Sequence, residues 1–293
     1  MDKMVSILPK AIPTAKLHAY LLGAVGPRPI AFASTIDEEG RPNLSPFSFF
    51  NVFSANPPIL IFSPARRVRN NTTKHTLDNA VQTKEVVINV VNYAIVQQMS
   101  LSSTEYAEGE NEFIKAGLSM LPSDLVKPYR VAESPVQFEC SVTKVEPLGE
   151  EGGAGNLVFS EVLKIHLNTK VLNEEGGIDL DKLDLVARMG GNWYSRANKG
   201  LFEVPKPLST LGIGVDQIPS SIRESTVLTG NDLGMLANVE RLPNTAEIAA
   251  FVASEIKIRT IISANDVQQI HLKAQEYLHN KDVLSAWKVL LAK

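Results

Sequence analysis

Residues 28–64, RPIAFASTIDEEGRPNLSPFSFFNVFSANPPILIFSP, decide the fold. Apolar and small residues alternate in the first part, Asp37-Glu38-Glu39-Gly40 forms a turn, and a second extended run follows. That pattern predicts a β-hairpin over 28–36 and 42–54, with a further short strand from Ile59 to Ser63 after Pro57-Pro58 breaks the pairing. The second run mixes Asn43, Ser45, Ser48 and Asn51 with Phe47, Phe49, Phe50 and Phe53. Buried hydroxyls and amides need hydrogen-bond partners. A ligand that is half apolar plate and half anion would supply them; solvent at a strand edge would do so equally.

Moving outward, 65–73 is polar and basic, with Arg66, Arg67 and Arg69, and leads into a predicted helix over 74–83 with Thr72 or Thr73 as its N-cap. A helix start reached by hydroxyls and cations is a natural phosphate seat. Residues 85–91 read as a buried strand and 93–101 as a helix; the acidic, Gly-punctuated segment 102–118 reads as a solvated loop. Residues 135–147 and 156–171 predict two long strands joined at a glycine-rich tip, and Gly190-Gly191 a tight turn presenting Trp193 and Tyr194 between Arg188 and Arg196. These two aromatics suit an interior or an interface as well as a ligand.

Composition changes after about Pro205, and from Ser221 onward strand signals stop. From about residue 224 apolar residues recur at helical spacing, which predicts a helical region of three or more helices (224–293) behind a linker (206–223) and a first domain (1–205). His271 and His279 read there as surface or boundary residues.

With 293 residues, 44% hydrophobic and a net charge of −3, the chain exerts no general pull on nucleic acid or anionic membrane. No apolar run reaches the ~20 residues of a bilayer span, and no secretory leader is evident, so the expectation is a cytoplasmic protein. Cys140 stands alone in an alternating strand pattern, which argues for a buried thiol and against a disulfide or thiolate metal cluster. No nucleophile elbow, His-Glu-x-x-His or Walker pattern occurs. A chain without an acid–base kit that builds a polar, aromatic pocket is suited to a cofactor carrying its own reactivity.

Pro29-Ile30-Ala31 with Ser34-Thr35, the run Asn43-Leu44-Ser45-Pro46-Phe47-Ser48-Phe49-Phe50-Asn51, Pro57-Pro58, Lys74-His75-Thr76-Leu77-x-Asn79, Glu112-Phe113-x-x-x-Gly117-Leu118, Ser134-Pro135 and Arg188-Met189-Gly190-Gly191 with Tyr194 together resemble the flavin reductase-like family of FMN-binding split β-barrels. The likeness spans roughly residues 20–205. It implies a mainly β fold, a six-stranded antiparallel split barrel, in a homodimer with FMN near the interface. It implies that Ser34, Thr35, Asn43, Ser45, Pro46, Phe47, Ser48, Phe49 and Asn51 contact the flavin, that Lys74 and Thr76 hold its phosphate, and that Tyr194 completes the site. The implied activity is NAD(P)H-dependent flavin reduction, with electrons passed to a second acceptor; no acid–base catalytic residue and no metal is needed. The alternatives are an FMN-binding electron carrier reduced by a protein partner, and a non-redox dimerisation module. His75 stands where the family usually has Asp.

Overall fold

The first reversal of the chain falls where the sequence places it, at Asp37 to Gly40. Asp37 Oδ1 accepts the Arg41 N–H at 2.8 Å, and Gly40 takes φ +85°, which a side chain would strain. This turn joins β1 (Ala31–Ile36) to β2 (Pro42–Phe47), paired antiparallel from Ala31↔Phe47 to Ile36↔Pro42. The computed structural model describes residues 3–107, 109–208 and 211–292, which divide into two compact units, Met1–Phe202 and Glu203–Lys293.

In the first unit, α1 (Thr14–Ala24) precedes the hairpin; β3 (Phe50–Ala55), β4 (Pro58–Phe62), α2 (His75–Thr83), β5 (Glu85–Val90), α3 (Val96–Leu101) and α4 (Glu112–Ala116) follow it. Next come the short pair β6 (Met120–Leu121) and β7 (Arg130–Val131), the long hairpin β8 (Val136–Pro147) and β9 (Asn156–Leu167), α5 (Leu180–Leu183), and the hairpin β10 (Val186–Arg188) and β11 (Tyr194–Arg196). The main sheet is antiparallel and runs β2-β1-β5-β8-β9-β4-β3.

β2 and β3 are therefore its two outer strands, yet only Ser48 and Phe49 separate them in sequence. A two-residue connection cannot span a flat seven-stranded sheet, whose neighbours are about 4.8 Å apart. The sheet has to roll up. The Phe47 and Phe62 rings accordingly meet at 5.4 Å, and the Ser63 N–H bonds the Phe49 carbonyl at 2.8 Å. This corrects the expected strand count from six to seven: the single run over 42–54 is broken at Ser48-Phe49 into β2 and β3.

One face of the sheet packs with α2 around Ala31, Ala33, Phe47, Leu60, Phe62, Leu77 and Ile88. The other packs Phe32, Leu44, Met99, Phe113 and Val131 beneath α3 and α4. Cys140 is wholly buried, and desolvation pushes its thiol well above the usual range, with the Glu139 charge adding to the effect.

Two further expectations need correction. Segment 102–118 is not all solvated loop, since α4 forms with Asn111 as N-cap and Gly117 closing it at φ +66°, and it buries Glu112 and Phe113. At α2 the N-cap position belongs to Lys74, without a side-chain cap, while the Thr73 hydroxyl donates to Asp78 at 3.1 Å.

The second unit holds α6 (Ser220–Arg223), α7 (Gly230–Ala237), α8 (Thr245–Ser254), α9 (Ile256–Ser263), α10 (Val267–His279) and α11 (Val283–Leu291). Capping boxes Thr229/Asp232 and Asn244/Glu247 start α7 and α8, and Asp266 and Asp282 cap α10 and α11. Its core gathers Ile218, Ile222, Leu236, Ala274, Leu278 and Trp287. His271 is buried rather than surface-lying: its Nδ1 meets the Ser225 hydroxyl at 2.7 Å, and desolvation lowers its pKa. Among the described residues no helix is long and apolar enough to cross a membrane.

Candidate functional site

The site is built along β2. In a strand, successive side chains take opposite faces. Asn43, Ser45 and Phe47 share the face covered by α2, and Pro46 takes the other.

On the α2 side a small cavity of about 40 Å³ is bounded by Ser45, Lys74, His75, Thr76, Arg67, the hydroxyls of Ser102, Ser103 and Thr104, and the carboxyl groups of Glu105 and Glu112. Lys74 Nζ lies 5.0 Å from the centre of the Phe47 ring and, among the described residues, has no carboxylate bonded to it. Burial, then the charge of nearby Arg67, lower its pKa; Glu105 opposes them. Arg67 bonds the Thr72 hydroxyl (3.0 Å), the Thr73 carbonyl and Glu105 (3.3 Å), and Glu105 also pairs with Arg69. With Glu105 taken by Arg67 and Arg69 and Glu112 bonded to the Leu44 N–H, the partly desolvated lysine among five hydroxyls is left without a paired anion. That donor set fits a phosphate.

The wall behind it is a relay of amides and hydroxyls. Asn43 Nδ2 donates to Thr76 Oγ1 (2.8 Å) and Thr35 Oγ1 (3.3 Å), and Asn79 Nδ2 donates to Thr35 Oγ1 at 3.1 Å. Strand, hairpin partner and helix are thereby locked in one register.

On the opposite face a larger cavity of about 490 Å³ is lined by Ile30, Pro46, Ser48, Gln97, Met99, Ser100, Arg188, Asn192 and Tyr194, and shares Ser103 with the first. Apolar contacts from Ile30, Pro46 and Met99 set among hydroxyls, amides and Arg188 suit a heteroaromatic ring whose edges carry donors and acceptors. The Arg188 guanidinium stacks 4.6 Å from the Tyr194 ring centre. Beneath, buried Arg28 donates to the carbonyls of Leu22 (2.7 Å), Val25 and Met189 (2.9 Å) and reaches Ser48 Oγ at 3.5 Å. It ties the end of α1 and the β10–β11 turn to the connection between β2 and β3. Its own pKa is lowered by burial and by the Arg188 charge.

The chain belongs to the flavin reductase-like family. The family model for the flavin reductase like domain matches residues 24–183. An uncharacterized protein of Aquifex aeolicus (strain VF5) is 38% identical over 181 residues, 62% of this chain and 90% of that protein. Among solved structures, nitrilotriacetate monooxygenase component B from Bacillus cereus is 27% identical with a TM-score of 0.65, covering 70% of this chain and all of that one. A putative flavin reductase with a split barrel domain from Shewanella frigidimarina NCIMB 400 is 26% identical with a TM-score of 0.57, over 67% and 95%.

Within this flavin reductase-like unit the expected residues are distributed unevenly. Asn43, Ser45, Lys74 and Thr76 line the small cavity and Pro46, Ser48 and Tyr194 the large one, while Phe47 is buried under Lys74. Ser34 and Thr35 are fully buried in β1 and line neither, although the Ser34 hydroxyl has no hydrogen-bond partner. Phe49 packs edge-on to His18 at 6.2 Å, and Asn51 is exposed on β3, its side-chain oxygen accepting the Val52 N–H.

Sequence reasoning missed Arg67, Gln97 and the hydroxyls 102–104 as lining residues. The consecutive Ser102-Ser103-Thr104 was the available signal. It also missed Glu112, whose Oε2 accepts the outward N–H of Leu44 at 3.0 Å; burial pushes this carboxyl up, the Leu44 bond opposing it in part.

Proposed function

We propose that the chain is an NAD(P)H-dependent FMN oxidoreductase that passes electrons to a second acceptor. The observation that supports this reading is the under-neutralised Lys74 with Ser45, Thr76 and Ser102–Thr104 in one cavity that meets, at Ser103, a larger cavity of mixed apolar, hydroxyl and amide lining. Lys74, Arg67 and the hydroxyls hold the phosphate; Pro46, Ile30 and Met99 take the ring, with Ser48, Gln97 and Asn192 as polar contacts to its edge. Bound there, FMN would supply the two-electron redox chemistry that links a nicotinamide donor to the acceptor. The chain's part is orientation and exclusion of water, with Arg188 and Tyr194 at the mouth of the ring cavity for the incoming nicotinamide.

The test is anaerobic mixing of the FMN-loaded protein with NADH and with NADPH. Loss of the flavin absorbance with at least one of them is expected. Retention of the full spectrum with both would transfer the reading to an electron carrier reduced by a protein.

Lys74→Ala is expected to weaken FMN binding by about 1–3 kcal/mol, roughly five- to 150-fold, and to leave riboflavin, which lacks the phosphate, unaffected in calorimetric titration. Affinity should also fall with rising pH before an ordinary lysine would titrate, because the lowered pKa removes the cation early.

We further propose a cytoplasmic homodimer. Val52, Phe53 and Phe49 on and beside the outer strand β3 are 64%, 63% and 38% exposed, apolar side chains that a second copy could cover. Val52→Glu with Phe53→Glu should convert a light-scattering mass of two chains to one; a wild-type mass of one chain would refute the proposal.

A further inference from the structure

Two acids line the small cavity, and they are not equivalent. Glu105 is half exposed and held by Arg67 and Arg69. Glu112 is only 8% exposed, and among the described residues no cation is paired with it. Its Oε2 accepts the Leu44 N–H at 3.0 Å, which leaves lone pairs over on the carboxyl. The titratable and charged groups facing it are Lys74 and His75 from the start of α2, Arg67 from the loop before it, and Glu105 and Tyr106 from the segment before α4. β2 contributes only the uncharged Asn43 and Ser45. On α4 itself Lys115 is occupied by Glu110 at 2.9 Å and by the Tyr106 ring. An anion drawn in by Lys74 therefore meets a buried acid that has no counter-charge of its own. Two negative charges in a space of about 40 Å³ repel strongly, because burial weakens the screening between them. One proton placed between them removes the repulsion and puts a charge-assisted hydrogen bond in its place. Burial already leans toward that state: desolvation raises the Glu112 pKa, opposed in part by the Leu44 N–H, its own N–H and His75.

We propose that Glu112 takes up a proton from solvent when a phosphate group enters this cavity, so that its neutral carboxyl keeps the Leu44 N–H on one oxygen and donates to the phosphate from the other. The inference rests on the reading that the flavin phosphate sits at Lys74. The phosphate is then gripped by a cation and an acid together, and the grip loosens as pH rises and the acid loses its proton. Glu112 thus makes the retention of the phosphate-bearing flavin sensitive to pH, separately from Lys74.

The experiment is calorimetric titration of the wild type and Glu112→Gln with FMN and with riboflavin, in buffers of different ionisation enthalpy, which counts the protons taken up on binding. At about pH 8 a free phosphomonoester is already a dianion, its second pKa being about 6. Glutamine keeps an acceptor for the Leu44 N–H and carries no charge, and thermal melts establish that the variant is folded. Lys74 can also recharge when the anion binds, and Glu112→Gln retains that contribution. With FMN the wild type should take up more protons than Glu112→Gln, by about half a proton or more; with riboflavin the two proteins should not differ. Glu112→Gln should bind FMN at least about fivefold more tightly than the wild type at about pH 8 and within about twofold of it at about pH 5. Equal uptake and parallel pH profiles in the two folded proteins would overturn the inference and leave the phosphate seat at Lys74 intact. If Glu112→Gln does not fold, the infrared difference spectrum of the wild type on adding inorganic phosphate decides: a protonated-carboxyl stretch should appear, and its absence would overturn the inference equally. FMN and riboflavin bound with the same affinity would remove the phosphate seat and this inference with it. Failure of both to bind would remove the flavin reading itself.

Discussion

Glu139→Ala destabilises the first unit by about 3–5 kcal/mol, the range for breaking a buried charged network. The Glu139 carboxylate on β8 has no solvent exposure. It accepts the N–H groups of Asp124 (2.9 Å) and Leu125 (2.6 Å) and meets His166 Nε2 on β9 at 2.6 Å. Removing it strands two backbone donors and an imidazole inside the protein and frees the 122–130 loop from the sheet. Burial by itself would push this carboxyl up, but the two backbone bonds and His166 outweigh it and hold the pKa below the usual value. A depressed folded-state pKa gives stability that is fully present above the unfolded value, about 4.3, and is lost as pH falls through the folded one. The wild-type denaturation midpoint should therefore fall below about pH 4.3 more steeply than that of the variant. Equal stability of the two proteins at pH 7 would refute this role. Ligand atoms of Asp124, Glu139 and His166 lie within 4.8 Å of one another, a spacing that invites a metal. However, Lys164 already holds Asp124 at 2.5 Å, and the Glu139 oxygens have the partners just named, so the trio is bonded internally.

Trp287→Ala should cost the helical unit about 3–5 kcal/mol, the loss typical of a large buried aromatic. Trp287 is wholly buried among Leu236, Ala274, Leu278 and Ala286, and its indole N–H bonds the Leu236 carbonyl at 2.9 Å. Because the chain divides near residue 202 and the cavities along β2 draw on the first unit alone, the second half of the prediction is selective. Calorimetry should show one transition lowered or lost, while FMN affinity stays within about twofold. A variant that loses flavin binding in step with helix content would contradict it.

How far the fold can be read from sequence is clear at particular residues. The hairpin at Asp37–Gly40, the buried strand β5 and the long pair β8–β9 follow from period-two patterning and turn chemistry, which are local. The break at Ser48-Phe49 is not local: both residues suit a continuous strand, and only the pairing of β4 with β9 forces the corner. α1 was not anticipated because its apolar positions form a weak stripe and it buries none of them fully. In the site, Lys74 and Thr76 are legible as a hydroxyl- and cation-bearing helix start. The role of Thr35 as a support behind Asn43, rather than as lining, depends on the roll of the sheet. Glu112 illustrates the same point, since the four acidic residues of 102–118 look alike until one of them meets a strand.

That meeting affects how the protein behaves when crowded. β2 is an outer strand, and an outer strand with free N–H groups templates the addition of another chain. The Glu112 carboxylate occupies the outward Leu44 N–H and places a buried acid where an incoming backbone would have to lie. The border proposed to receive the cofactor is thus also guarded against fibre growth at Leu44.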